Sequence, residues 1–208
     1  LSVFNCLENP KLFFETLKLL KVPFPQVNLS ADSLENLGSD WILKDLGSSG
    51  GRGNKKLFGR KSKSSEYFQK QLLGTAVSLS FLADGQHIIP LGYSKPINTK
   101  QSNLPFVFCG LDGPIEVNDS IDQEALRISK LIVQKFKLRG FNGIDFLVSD
   151  KAVLLVDLNP RITASFEVLQ ESHNFCFFEK HIHLTRDTIE NTHILENYPA
   201  KQKKIISG

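Results

Sequence analysis

The sequence predicts an α+β fold of two lobes, and three observations carry that prediction. Ser120 to Phe136 reads as one long amphipathic helix. Paired apolar runs, Thr75–Leu82 with Ile88–Leu91 and Gly143–Val148 with Ala152–Leu158, are joined by the short turns Asp84-Gly85 and Ser149-Asp-Lys151, the pattern of antiparallel hairpins. Upstream, a brief strand opens into the glycine loop Gly47-Ser-Ser-Gly-Gly-Arg-Gly53.

Taken in chain order, Leu12, Phe13, Leu17 and Leu20 fall at helical spacing from Pro10 to Leu20, and Val22-Pro-Phe-Pro25 stops that helix. Ser30 is a suitable N-cap for a second short helix through Ser33-Leu34-Glu35. Trp41 to Leu46 is strand-like, followed by the glycine loop, a basic stretch to Lys63 and a second strand edge. Tyr67–Leu73 leads into the first hairpin. A loop rich in Pro, Gly and Asn then reaches the long helix, which carries Ile121, Ala125, Leu126, Ile128, Leu131, Ile132 and Val133, with acids early and lysines late to suit the helix dipole. The second hairpin follows, and Phe166 to Gln170 starts another helix.

Bulk composition narrows the function. With 41% apolar and 23% charged residues the chain has an ordinary soluble balance. The net charge of +3 is small, and its excess sits in Lys55-Lys56, Arg60-Lys61 and Lys63 rather than on a basic face, so no nucleic-acid partner is expected. Cys6, Cys109 and Cys176 form no CxxC pair or zinc spacing and read as reduced thiols of a cytoplasmic protein. No apolar stretch approaches the ~20 residues of a membrane span, and the N-terminus lacks the pattern of a signal peptide. Methionine is absent even at position 1, so the chain is expected to start inside a longer protein.

The stretch Gly143-Ile-Asp-Phe-Leu-Val through Leu-Val-Asp-Leu-Asn-Pro-Arg161 sets acids within strands that are otherwise apolar. Burying lone carboxylates there would cost several kcal/mol unless each is paired or bound to a cation. Asp157 and Asn159 share a strand face, and a three-residue loop at Asp150 to Ala152 would set Asp145 opposite Asp157. A two-residue loop would put the acids on opposite faces. Three hard oxygens suit magnesium, which completes its octahedron with water and phosphates. Either acid alone would read as a capped strand end or a turn; three oxygens in one register before Arg161 favour the metal.

The glycine loop fails the Gly-Lys-Ser/Thr phosphate-loop pattern and the dinucleotide pattern, since Lys56 stands where a third glycine would be. It remains able to bring backbone N–H groups to phosphate, with Lys44 on the preceding strand, or to be a mobile surface loop.

In their order these pieces resemble the ATP-grasp superfamily. Asp157-Leu-Asn-Pro-Arg161 looks like that family's Glu-x-Asn-Pro-Arg, and Asn-Pro-Arg-Ile-Thr-Ala-Ser-Phe-Glu167 is similar to predicted carboligases related to biotin carboxylase. The resemblance covers nearly the whole chain. It implies ATP held between two antiparallel sheets, with residues 1–37 leading in from a further N-terminal α/β domain, 38–92 forming the small lobe with its lid, and 93–208 the large lobe. Lys44 and, less closely, Lys11 match lysines on ATP phosphates; Gly50, Gly51 and Gly53 match the lid; Gln69, Gln71 and Leu72 fall where adenine is met. Asp145, Asp157 and Asn159 match the ligands of Mg2+ (or Mn2+), and Arg161 matches a partner of the transferred phosphate. Gln69 and Asp157 depart from the family's usual glutamates.

The implied reaction is ligation of a carboxylate to an amine, or to a thiol, through an acyl phosphate, with release of ADP and phosphate. A catalytically silent ATP-binding regulator or scaffold of the same fold is the alternative. The basic run with Phe58 and Tyr67 is better read as a solvated lid than as a nucleic-acid surface. His181-x-His183 would share a face of a strand, yet has no third ligand at convincing spacing; the histidines are assigned to surface or packing, with His173 kept as a weak substrate-pocket candidate beside Glu167 and Glu171. Phe175, Phe177 and Phe178 read as core.

Overall fold

Asn9 accepts from the N–H of Leu12 at 3.2 Å and Pro10 fills the first turn, where a missing N–H costs nothing, so helix α2 (Pro10–Leu19) starts as its sequence dictates. It follows a five-residue helix, α1 (Val3–Leu7), too short to show a period. The structure is a computed structural model describing residues 3–29, 37, 40–45, 48, 50–55, 65–99, 105–150 and 152–186. The helix expected from Ser30 and most of the basic run from Lys55 to Lys63, Phe58 included, lie outside the described residues, as do Gly47, Ser49 and His193.

The chain divides into two compact units. The first comprises Leu1–Ala76, Pro96–Gly110 and Leu147–Val156. In it, strands β1 (Val27–Asn28), β2 (Trp41–Asp45) and β3 (Glu66–Lys70) make an antiparallel sheet of order β1-β3-β2. Phe14 anchors this unit, its ring 5.0 Å from Phe24 and 5.0 Å from Tyr67, with Phe13 and Leu17 buried beside it on the same helix face. Side chains of this size each contribute about 1.5–3 kcal/mol when fully buried.

The second unit comprises Val77–Lys95, Leu111–Phe146 and Asp157–Gly208. The long helix α3 (Asp119–Phe136) is capped by Asn118, which accepts from Ile121 N–H at 2.9 Å, and it ends at Lys137 in the left-handed conformation. Ala125, Ile128, Ser129, Ile132, Val133 and Phe136, spaced at three and four, form its buried face. Leu82, Leu91, Phe141, Leu169, Phe177 and Leu184 make a second apolar cluster, drawing on the two short helices α4 (Ser165–Gln170) and α5 (Phe177–Thr185).

The larger sheet has the order β6-β5-β4-β7-β8, from β4 (Thr75–Asp84), β5 (Ile88–Asn98), β6 (Phe108–Ile115), β7 (Arg139–Ser149) and β8 (Ala152–Asn159). The expected hairpins are both present. Asp84 shapes the first by accepting from Gln86 and His87 N–H at 2.8 and 2.7 Å, while Gly85 takes φ +94°. The pairing slips by one residue between Ser80 and Phe81, next to Pro90, which has no N–H to give the ladder.

Two further elements differ from the sequence reading. Strand β6 lies in the stretch read as a loop, because Gly110, Gly113 and Pro114 hide a strand whose residues are mostly exposed or half-buried and therefore show no apolar run. His181 and His183 lie on helix α5, so they point to different sides instead of sharing a strand face.

Candidate functional site

Strands β4 and β7 are sheet neighbours, and β7 brings Asp145 to the face on which Phe141 and Gly143 also point. The Asp145 carboxylate meets the side chains of Ser78 and Asn159 there. Ser78 Oγ donates to Oδ1 at 2.5 Å, and Asn159 Nδ2 donates to Oδ2 at 3.2 Å. Asn159 Oδ1 in turn accepts from Arg161 Nη2 at 3.0 Å, and Arg161 N–H closes a tight turn onto the Asn159 carbonyl at 2.8 Å. A Cβ on Gly143 would lie 3.2 Å from Thr163 Cγ2 and 3.8 Å from Asn159 Cβ, so the absence of a side chain at 143 makes room for both.

Asp157 stands two residues before Asn159 on β8, half-buried, with Oδ1 accepting the N–H of Leu158 at 2.9 Å. Strand β7 ends at Ser149 and β8 begins at Ala152, with Lys151 between them outside the described residues, so the strand bounds do not count the loop. The side-chain contact between Asp145 and Asn159, rather than the loop count, shows that these two share a face. Among the described residues no cluster of three or more His, Cys, Asp and Glu exists. The structure brings Asp145 and Asn159 together; with Asp157 they would make the hard, oxygen-only donor set that magnesium accepts and zinc does not favour.

A second chain of hydroxyls runs beside the acid. Ser80 Oγ is 2.6 Å from Ser165 Oγ, which is 2.7 Å from Thr163 Oγ1, so β4 is tied to the segment between Arg161 and α4. Sequence reasoning passed over Ser78 and Ser80. Their signal is two serines alternating within Val77-Ser-Leu-Ser-Phe-Leu82, in a strand where Ser80 is buried.

In the first unit, Lys44 pairs across strands with Tyr67 and is only 8% exposed. Its ammonium donates to the Val156 carbonyl at 2.9 Å and lies 5.8 Å from the Tyr67 ring centroid, a cation held by a carbonyl and a π face. Gly50 and Gly51 have φ +62° and +71°, and a Cβ on Gly51 would collide with the Phe106 carbonyl oxygen. Glycine is required there by both backbone and space. The Gly50 carbonyl accepts from Phe108 N–H at 3.0 Å, and Leu43 and Lys55 exchange two backbone bonds of 2.9 Å, which folds the loop back along β2. Gly53 sits tightly against Ser48 and Asp45.

Gln69 is buried in the middle strand β3, between Val27 and Ile42. The N–H of Gln71 is spent on the Asp40 carbonyl at 2.6 Å, whereas Leu72 is 38% exposed in the segment after β3. Lys11, on an exposed position of α2, lines a groove of about 380 Å³ with Phe14, Glu15, Lys18, Val27 and Leu29.

His173 and His181 take packing roles. His173 lies 4.9 Å from the Phe177 ring centroid and its Nδ1 is 3.0 Å from the Leu169 carbonyl. His181 Nδ1 accepts the N–H of Phe141 at 2.9 Å, and burial holds its pKa below the ordinary histidine value. Phe177 is fully buried, Phe175 packs against that core, and Phe178 is 53% exposed. Glu167 and Glu171 line a separate groove of about 410 Å³ with Gly113, Pro114, Val168 and Ser172.

Comparison with known proteins places this architecture. The chain belongs to the ATP-grasp family, a family of ATP-binding ligases: its residues 8–165 match the ATP-grasp domain. It is 29% identical over 114 residues to the formate-dependent phosphoribosylglycinamide formyltransferase of Prochlorococcus marinus, covering 54% of this chain and 28% of that protein. Among solved structures it resembles carboxyaminoimidazole ribonucleotide synthase from Aspergillus clavatus complexed with ATP, with a TM-score of 0.70, 17% identity, 86% of this chain and 51% of that one. It also resembles a biotin carboxylase complex from Campylobacter jejuni, with a TM-score of 0.70, 13% identity, 90% of this chain and 48% of that one. The chain therefore spans about half the length of these structures and has the ATP-grasp fold. No helix among the described residues is long and apolar enough to cross a membrane.

Proposed function

We propose that this chain supplies the ATP- and metal-binding part of a ligase that joins a carboxylate to an amine, or to a thiol, through an acyl phosphate. The observation that carries the proposal is the meeting of Asp145 and Asn159 at 3.2 Å, with Asp157 two residues away on the same strand, inside an ATP-grasp domain. Lys44 and the glycine loop are read as the groups that meet phosphate, with Lys11 as a further cation and Gln69, Gln71 and Leu72 toward adenine. Asp145, Asp157 and Asn159 would hold Mg2+, which when bound shields the charge of the phosphates.

The substrate carboxylate oxygen attacks the γ-phosphorus while the bond to the β-bridging oxygen breaks, and ADP leaves. The amine nitrogen then attacks the acyl carbon, loses a proton and expels inorganic phosphate. Neither step needs a strong acid or base; both need in-line positioning and cationic groups beside spreading negative charge. Lys44 and Arg161 supply such groups. Arg161 is exposed; its Nη2 donates to Asn159 Oδ1 at 3.0 Å and its Nη1 to the Ile162 carbonyl at 3.2 Å, and the remaining N–H groups of the five-donor guanidinium can meet a transferred phosphate.

Calorimetric titration with ATP, with and without Mg2+, tests the proposal on the wild type and on Asp157→Ala/Asn159→Ala. Magnesium-dependent affinity that the double variant loses supports the metal site, after which phosphate release can be screened across acids and amines. ATP affinity indifferent to both magnesium and the double substitution sinks it. Binding without phosphate release for any acid and amine would turn the reading to the silent regulator.

A further inference from the structure

A half-buried serine on β4, not among the predicted metal ligands, makes a short contact with Asp145. Ser78 Oγ donates to Asp145 Oδ1 at 2.5 Å from a residue 67 positions earlier in the chain, across the β4–β7 pairing. The other oxygen, Oδ2, is the one turned toward Asn159. A hydroxyl donating to an ionised carboxylate makes a charge-assisted bond, which fixes the rotation of the carboxylate as well as its place. Such outer partners commonly change metal affinity by about 10–100-fold when removed.

We infer that Ser78 is a positioning residue for the metal site, fixing Asp145 through Oδ1 so that Oδ2 is turned toward Asn159, where the divalent cation would bind. This rests on the reading of the Asp145, Asp157 and Asn159 hairpin as the cation site. Ser78 acts through Asp145 and touches no substrate. Its neighbour Ser80 makes the parallel tie to Ser165 and Thr163, so the two serines of β4 hold the acid and the segment after Arg161 separately.

The test measures Mn2+ binding to the full chain by the loss of the free-ion EPR signal, with and without a non-hydrolysable ATP analogue. Ser78→Ala is expected to bind Mn2+ about 10–100-fold more weakly. Ser78→Thr, which keeps the hydroxyl, is expected to stay within about threefold of wild type, whereas Ser78→Cys, similar in volume and a poor donor, should behave like the alanine variant. Ser129→Ala, which deletes a buried hydroxyl that donates to the Ala125 carbonyl of its own helix, serves as the control for generic loss of a buried hydroxyl and should bind Mn2+ as wild type does. Thermal melts in chelator report folding separately. Wild-type affinity in Ser78→Ala, or in Ser78→Cys should the alanine variant not fold, overturns the inference while leaving the hairpin site intact. A threonine variant as weak as alanine overturns it too. A wild type that binds no Mn2+ in either condition removes the hairpin reading and this inference together.

Discussion

Asn159 donates its amide to the carboxylate of Asp145 at 3.2 Å, joining β7 to β8 through side chains as well as backbone. The bond makes the neutrality of Asn159 matter. Asn159→Asp would set two carboxylates in contact, a repulsion of about 1–3 kcal/mol once the lost hydrogen bond is included. The variant should melt well below wild type in chelator and recover much of the difference in millimolar Mg2+. Equal melting temperatures with and without Mg2+ would show that no cation is held at this pair.

Lys44 offers a cleaner view of the nucleotide. Its stem is buried and its ammonium is held by the Val156 carbonyl and the Tyr67 face, so Lys44→Met keeps the packing and removes the charge. ATP affinity is expected to fall at least tenfold by calorimetry while near-ultraviolet circular dichroism stays unchanged. Affinity within twofold of wild type would take Lys44 out of the phosphate site.

His181 should give stability a pH dependence near neutrality. Burial lowers its folded pKa below 6.5, and its Nδ1 must stay unprotonated to accept from Phe141 N–H. The unfolded chain therefore binds the proton more readily, and stability is fully present above pH about 6.5 and declines as pH falls from there toward the lower folded pKa. His181→Leu should flatten that slope in urea unfolding between pH 8 and pH 5.5. It should also cost about 1–3 kcal/mol at pH 8, because the Phe141 N–H loses its partner.

Asp84 governs a lower window. Burial pushes its pKa up, but the Gln86 and His87 N–H groups, with the His87 side chain, outweigh that and hold it below the usual aspartate value. Its contribution is present above pH about 4 and is lost as pH falls through the depressed folded value. Asp84→Ala should destabilise the chain by about 1–2 kcal/mol at pH 7 and by less near pH 3, read from urea midpoints. A constant difference across that range would mean that the carboxylate charge does not matter to the turn.

Much of this molecule is written locally. The α+β class, helix α3 with its acid-first charge order, the Asp84-Gly85 hairpin and the placing of Asp145, Asp157 and Asn159 in apolar strands all follow from residues within a few positions of one another. The family could be reached from Asp157-Leu-Asn-Pro-Arg161 by resemblance, and the match over residues 8–165 bears it out. Helix α5 and strand β6 escaped because short exposed elements carry little periodic signal; His181 and His183 read equally as strand or helix until Phe177 and Leu184 found the core around Phe141.

What only the tertiary structure decided is which distant residues meet. No local pattern in Val77-Ser-Leu-Ser-Phe states that β4 will lie against β7 and bring Ser78 to Asp145, or that Lys44 will end on the Val156 carbonyl 112 residues away. The pairing of non-consecutive strands depends on the sum of many weak contacts and on the closure of long loops, quantities that belong to the whole chain. The sequence therefore supplied the chemistry of the site residue by residue, and the sheet order supplied their neighbours.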